Sequence, residues 1–570
     1  MRFSLRRRAI PGAALGTLLL AHGALLSAQG ESGGIPRLRQ QGTATQLVVD
    51  GAPFLILGGE LGNSTASSVA GMRPMWARLK GMHLNTVVAP VYWELIEPEE
   101  GRYEFASVDS LITDARANGM RLVLLWFGSW KNSMSSYVPG YVKTNQARFP
   151  RTESTRGQGQ EILSPFVAAN HEADARVFRA LMRHLNAVDG TRHTVVMVQV
   201  ENETGMIPTA RDHSALADSL YARPVPAELM TYLQRHRDAL APELLERWGA
   251  RGHRAAGSWE EVFGAGPHTE ELFMAWYFAR YTHHVASAGK AEYPLPMFAN
   301  AALIRPGYLP GRYVSAGPLP HLIDVWRAAA PSIDFIAPDI YFPNFSEWAA
   351  KYTRSGNPLF VPEAALGGQA SVNAIYAFGA HDAIGFSPFS IEGANPDSTP
   401  LTRSYALLEQ LSPVILAHQG RGTMAGVMPR IAFDGSVNDS AQVVRLGDYT
   451  LTVSFQAPPR PPGAENFTPG AIVFGVPTGP AARVRTAGGL IVALAPDEFL
   501  VAGSGLTVTF APATAGPPIA GILRTQEGRY DRGKWSTTRW LNGDQTHQGR
   551  HIRLEARDFS MQRVKVYRYR

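Results

Sequence analysis

Two segments far apart in this chain each end an apolar run on a glutamate. Val198-Gln199-Val200-Glu201-Asn202-Glu203 is the first, and Pro358-Leu359-Phe360-Val361-Pro362-Glu363 the second. Barrel enzymes assemble catalytic pairs from carboxylates carried at the C-terminal tips of strands. Two carboxylates flanking a sugar are the least apparatus that cleaves a glycosidic bond. One protonates the leaving oxygen and the other attacks the anomeric carbon, at ~5–5.5 Å separation in a retaining mechanism. Either glutamate taken alone could equally form a salt bridge to a neighbouring loop. The pair, with Asn202 before the first and Pro362 before the second, points to chemistry.

Such a pair needs a frame that makes the two tips face each other. Residues 31 to about 410 alternate short apolar runs with amphipathic segments, the rhythm of β/α units. The runs are Phe54–Gly59, Leu84–Pro90, Arg121–Phe127, Thr194–Val200, Leu295–Ala299, Ile333–Ala337, Leu359–Pro362 and Ile384–Phe389. Eight runs with helical intervals predict an α/β fold, a (β/α)8 TIM barrel. Glu203 then follows the fourth strand and Glu363 ends the seventh, three strands apart across the mouth. Ahead of the first strand, Gln46–Pro53 reads as a hairpin turning at Asp50-Gly51 and closing the barrel's bottom.

The longest interval, between the fourth and fifth runs, carries three helix-like segments: Ala227–Leu240, Pro242–Trp248 and Glu270–Val285. Phe273, Trp276 and Tyr277 share one face of the last, as packing residues. From about residue 412 glycine, proline, threonine and valine rise and helical periodicity stops. Strand-like runs at Val443–Leu446, Leu451–Phe455, Ala471–Phe474 and Leu506–Phe510 predict a C-terminal β-sandwich domain, with Pro458–Gly463 a stiff loop in it. Arg539–Asp544 reads either as a turn with a buried tryptophan or as a sugar contact.

The two glutamates need different environments to do different jobs. Glu203 suits the acid/base role, because Asn202 beside it could hold the sugar's 2-hydroxyl. Glu363 suits the nucleophile and must stay ionised. Its charge should raise the pKa of Glu203, which should fall again once a glycosyl ester neutralises Glu363. Around the mouth, Trp93, Trp126, Trp130 and Tyr341 are either sugar platforms or core, with Trp93 and Trp130 the favoured platforms. Glu60 ends the first strand and Glu392 follows the eighth, as substrate ligands or structural partners. Lys131 is either a hydroxyl donor or merely solvated. No histidine spacing suits a metal, and Asp339 alone is no cation site, so no metal or cofactor is expected.

The sequence resembles glycoside hydrolase family 35, β-galactosidases of the retaining two-glutamate barrel type. Val198–Glu203 resembles that family's acid/base motif and Gly59-Glu60-Leu61 its first-strand signature. Leu84-Asn85-Thr86-Val87 through Tyr92-Trp93-Glu94-Leu95-Ile96-Glu97-Pro98-Glu99-Glu100-Gly101 resembles its second-strand region. The similarity covers about residues 45–400, in a bacterial branch with a C-terminal β domain. It implies an exo-acting enzyme that removes terminal β-D-galactose from oligo- or polysaccharides by double displacement. Two positions depart from the pattern. After the third strand stands Trp126-Phe127-Gly128-Ser129-Trp130-Lys131-Asn132 in place of a Gly-Pro-Tyr and acidic-tryptophan segment, and Glu94 replaces a common asparagine. Both would touch the terminal sugar or its edge. They leave β-glucosidase, β-mannosidase or arabinosidase open, and beyond those a non-catalytic carbohydrate-binding protein.

Composition bounds the rest. The 570 residues are 45% hydrophobic and 18% charged, with no cysteine, which excludes disulfides and thiolate chemistry. Arg2, Arg6, Arg7 and Arg8 precede an apolar stretch to Leu26 and a small residue at Ala28, so residues 1–28 read as a signal peptide. A membrane anchor is the alternative, and the export route, Sec or twin-arginine, stays open. The expected location is periplasmic or secreted, with domains at 29–411 and 412–570. Without the leader the formal charge falls from +6 to +2, and no basic run remains to suggest nucleic acid. No further segment is apolar enough to span a membrane.

Overall fold

The computed structural model describes residues 34–456, 486–556 and 558–570; the leader, the expected strand at 471–474 and the loop at 458–463 lie outside the described residues. Eight parallel strands close into a barrel. They are β1 (Ile56–Glu60), β2 (Thr86–Tyr92), β3 (Arg121–Lys131), β4 (Val195–Asn202), β5 (Met297–Ala302), β6 (Phe335–Ile340), β7 (Phe360–Ala364) and β8 (Gly385–Pro388). Each pairs with the next, and β8 returns to β1 with Gly385 opposite Ile56. Every strand overlaps one of the eight apolar runs. Strands buried on both faces must be apolar throughout, which is why the runs are continuous and not alternating.

Inside the barrel, Ile56, Val88, Val123, Leu125, Phe298, Phe335, Phe360 and Ile384 form one buried cluster. Leu47 and Val49, from the antiparallel strand Ala44–Val49, complete it from below. That strand turns at Asp50-Gly51, both with positive φ (51° and 80°), the geometry a two-residue hairpin requires. Asp50 anchors the turn, accepting from Arg121 at 2.6 Å and pairing with His193 at 2.8 Å. The expected hairpin thus plugs the barrel's bottom and leaves the strand tips free for chemistry.

The β4–β5 interval holds helices Ala227–Arg235, Pro242–Gly249, Trp259–Phe263 and Pro267–Lys290. The last is longer than its sequence pattern suggested and packs on Ala168–Asp189, with Phe273 and Trp276 buried. Helix Pro400–His418 follows β8, so the change of texture at 412 falls within its last two turns. Antiparallel sheets then begin at Met424. The six-stranded sheet faces a four-stranded one, and Ile491, Phe499, Val501 and Val564 of the first meet Leu451, Val453, Leu506 and Val508 of the second. The back of the larger sheet sits directly on helix Ala370–His381 of the barrel. A side chain at Gly379 would lie 2.8 Å from Leu490 and 2.9 Å from the Gly426 backbone. Trp540 differs from the turn expected of it. It lies in the edge strand Lys534–Leu541 and is 63% exposed. No described helix is long and apolar enough to cross a membrane.

Candidate active site

The end of β4 is where the local backbone departs from a regular strand. Glu201 and Glu203 both have left-handed φ (63° and 44°), a conformation that costs a residue with a side chain of order 1–3 kcal/mol. Two such turns break the period-two alternation, so the two carboxylates part company. Glu201 turns outward, where its Oε2 accepts the Trp130 N–H at 2.8 Å and it lies against Asp174. Glu203 turns into the mouth.

There Glu203 accepts a hydrogen bond from the Asn132 amide, and its own N–H donates to Asn300 Oδ1 at 3.0 Å. The Asn300 amide in turn donates to Asp339 at 2.6 Å. Across the mouth, Glu363 accepts from the Tyr341 hydroxyl. One oxygen from each of Glu203, Asp339 and Glu363 lies within 4.8 Å of the others, and all three residues are buried. That spacing fits the ~5–5.5 Å of a double displacement; inverting pairs stand ~6.5–9.5 Å apart to admit a water.

Four carboxyls, Glu60, Glu203, Asp339 and Glu363, share this space with the ammonium of Lys131, and four like charges so close cannot all be ionised. Burial first, then the charge of Glu363, pushes the Glu203 carboxyl up to about 7; Lys131 and a hydrogen bond with Asp339 pull the other way. Glu60 and Asp339 are held well above the usual carboxylate range by burial and the charge of Glu363. Burial works against the Lys131 ammonium, but Glu363, Glu203, Glu60 and Asp339 outweigh it and keep it charged. Burial and Glu363 also raise the Tyr341 phenol, which remains a donor. The three clustered acids have metal-ligand spacing, alone among the described residues, but the charge of Lys131 opposes a cation there.

A second buried network braces β3 against β4 from outside. Asp174 accepts from Trp126 Nε1 at 2.8 Å and from Ser129 Oγ at 2.7 Å and N at 3.1 Å. Gly128 makes room for it: a Cβ there would fall 2.3 Å from Trp126 Nε1 and 2.7 Å from Glu201 Oε1. Burial and Asp174 push the Glu201 carboxyl well above the usual range.

The other residues singled out from sequence divide. Asn202 is buried beside Glu203 with both amide atoms unpartnered, as a group awaiting a hydroxyl is. Glu60 ends β1 with both oxygens lacking a donor. Glu94 sits half-exposed at the rim, 3.4 Å from Lys143. Trp93 and Trp130, expected as sugar platforms, are corrected: neither has exposed surface. Trp93 opens the short helix Trp93–Ile96, which carries it away from the mouth, and its indole donates to Glu97 at 3.1 Å. Trp130 alternates with inward-facing Lys131 and packs outward between Phe278 and Tyr281, at ring distances of 5.0 and 4.4 Å. Trp126 is likewise core. Tyr341 is 43% exposed beside Glu363. Glu392 is a structural tie, accepting from Gly62 N at 2.9 Å and Thr65 Oγ1 at 2.5 Å. Sequence reasoning passed over Asn300 and met Asn132 only as the end of the segment expected to touch the sugar. Asn300 carries the signal that found Glu203, a polar residue at an apolar strand's tip; Asn132 stands in a loop with no such signal.

Barrel and paired carboxylates together are the arrangement of a glycoside hydrolase. Residues 72–275 match the model of glycoside hydrolase family 42, described as beta-galactosidase, and residues 401–553 match a domain of unknown function, DUF5597. The model that matches is that of family 42 and not of the family 35 resembled above; it too is described as beta-galactosidase. A curated β-galactosidase of Xanthomonas manihotis is 26% identical over 204 residues, which are 32% of this chain and 29% of that protein; the chain thus spans under a third of that relative's length. Among solved structures, the cold-adapted β-galactosidase of Rahnella sp. R3 is 14% identical, over 66% of this chain and 57% of that one, with a TM-score of 0.43. The β-galactosidase of Bacillus circulans sp. alkalophilus is 13% identical, over 64% and 57%, also with a TM-score of 0.43. Likeness at that level adds nothing to the barrel already seen.

Proposed function

We propose that the protein is a retaining glycoside hydrolase that removes terminal β-D-galactose from oligo- or polysaccharides. The observation that carries this reading is the facing pair Glu203 and Glu363, with oxygens within 4.8 Å and Glu203 at about 7. Glu363 attacks the anomeric carbon as Glu203 gives its proton to the leaving oxygen. The resulting ester removes the charge of Glu363, the pKa of Glu203 falls, and Glu203 takes a proton from the water that releases the sugar. Tyr341 steadies the nucleophile, and Asn202 meets the 2-hydroxyl. The galactose assignment and family 42 rest on the model match over residues 72–275. Export through residues 1–28, a catalytic unit at 29–411 and a β unit at 412–570 belong to the same proposal.

A second reading, a retaining hydrolase for another sugar, is favoured by one observation. In the segment that departs from the family 35 pattern, Asn132 donates to Glu203 and the charge of Lys131 acts on all four carboxyls. A panel of 4-nitrophenyl β-glycosides decides. Turnover of the galactoside above the others supports the first reading; an intact galactoside beside a hydrolysed glucoside or mannoside replaces it with the second.

A further inference from the structure

Lys131 is an anomaly that the double displacement leaves unused. It is 5% exposed, yet its ammonium forms no ion pair or hydrogen bond with any described residue. It lies 5.4 Å over the ring of Phe127, a member of the barrel-interior cluster, so it is inside the mouth. The backbone fixes it there. Its N–H donates to Met134 at 2.9 Å, and its strand position is paired with Asn202, the last residue of β4. Four acids act on it electrostatically, and it closes on none of them.

Glu60 is its counterpart, fully buried at the tip of β1 with neither oxygen receiving a donor. Going round the barrel from Glu363 on β7 to Glu203 on β4 through β8, β1, β2 and β3, one passes Glu60 and then Lys131. The opposite arc, β5 and β6, carries Asn300 and Asp339, already bonded to each other. That arc is tied together through Asp339 Oδ2, with Oδ1 left unpartnered, whereas the other holds an ammonium without an acceptor and a carboxyl without a donor. The Glu60 carboxyl lies against that of Glu363 and no donor reaches it, so an ammonium and a carboxyl facing one cleft leave room for a group that accepts from one and donates to the other. A hydroxyl does both.

We propose that Lys131 and Glu60 grip one hydroxyl edge of the sugar in the cleft, a single hydroxyl or two vicinal ones, and so determine which sugar the enzyme accepts. Lys131 donates to the hydroxyl oxygen, and Glu60, which accepts through its carbonyl oxygen even when protonated, receives the hydroxyl hydrogen. This rests on the glycosidase reading above and deepens it.

The test is a mutant-by-substrate cycle. kcat/KM is measured for wild type, Lys131→Met and Glu60→Met on the 4-nitrophenyl glycoside that wild type hydrolyses and on its monodeoxy analogues. For wild type, one deoxy position, or two adjacent ones, should cost about 10- to 100-fold, the range of a hydrogen bond to a charged group. Lys131→Met should lose a similar factor on the parent and almost nothing more when that hydroxyl is also missing, while the other deoxy positions keep their wild-type effects. Glu60→Met, which keeps roughly the size but removes the acceptor, should show the same selective insensitivity and carries the test if Lys131→Met does not fold. Equal losses on every analogue, in either variant, mean a role confined to charge balance and overturn the inference while leaving the glycosidase reading intact. A wild-type protein that hydrolyses no parent glycoside overturns both.

Discussion

Replacing Glu363 by glutamine should lower the pKa of Glu203 without returning it to an ordinary value. A carboxyl at 4.5 is protonated in about one molecule in 300 at pH 7, whereas one at about 7 is protonated in about half. The difference corresponds to about 3 kcal/mol in favour of the protonated acid. Burial is its largest cause and Glu363 the second, so glutamine at 363 removes the second and leaves the first. The assay is a 13C titration of the Glu203 carboxyl in glutamate-labelled protein, assigned by difference from Glu203→Gln. In wild type the signal should titrate near 7, and in Glu363→Gln below it but above 4.5. The wild-type kcat/KM should fall about tenfold per pH unit above 7, because the acid must be protonated in the free enzyme. A Glu203 signal that titrates identically in both proteins would refute the coupling and with it the acid-to-base switch.

Other outcomes follow from the same site. Glu363→Gly should lose hydrolysis and regain turnover with azide, giving the α-glycosyl azide, while Glu203→Ala should keep activity on substrates with good leaving groups; chromatography and nitrophenol release check both. Lys131→Met should move the basic limb of the kcat/KM profile to higher pH, because the ammonium holds the pKa of Glu203 down. Gly128→Ala forces a side chain against Trp126 and Glu201 and should cost about 1–3 kcal/mol, read as a lower melting temperature. Leu47→Ala opens a hole in the bottom plug and should cost about 2–5 kcal/mol with kcat and KM unchanged below the transition, since stability and chemistry sit at opposite ends of the barrel.

The barrel was legible because burial on both faces forces continuous apolar runs, and all eight runs became strands. Glu203 and Glu363 were legible for a related reason: a charge at the end of such a run can lie only at its open tip. Periodicity failed where the backbone leaves the strand. Nothing in Glu201-Asn202-Glu203 announces two left-handed residues that send one glutamate outward and the other in. Trp93 and Trp130 were misplaced because an aromatic near a strand tip fits the mouth or the helix layer equally well. The helix after Trp93 and the alternation before Lys131 decided between them. Asn132 reaches Glu203 from a loop whose path no local pattern encodes.

The most direct measurement is the anomeric configuration of the first-formed product, followed by proton NMR during hydrolysis of a nitrophenyl β-galactoside. Glu203 and Glu363 at their observed spacing predict β-galactose first, with the α-anomer growing only as mutarotation proceeds. α-Galactose as the initial product would contradict the account, because it requires a water between the carboxylates where Glu363 is assigned to bond the sugar itself.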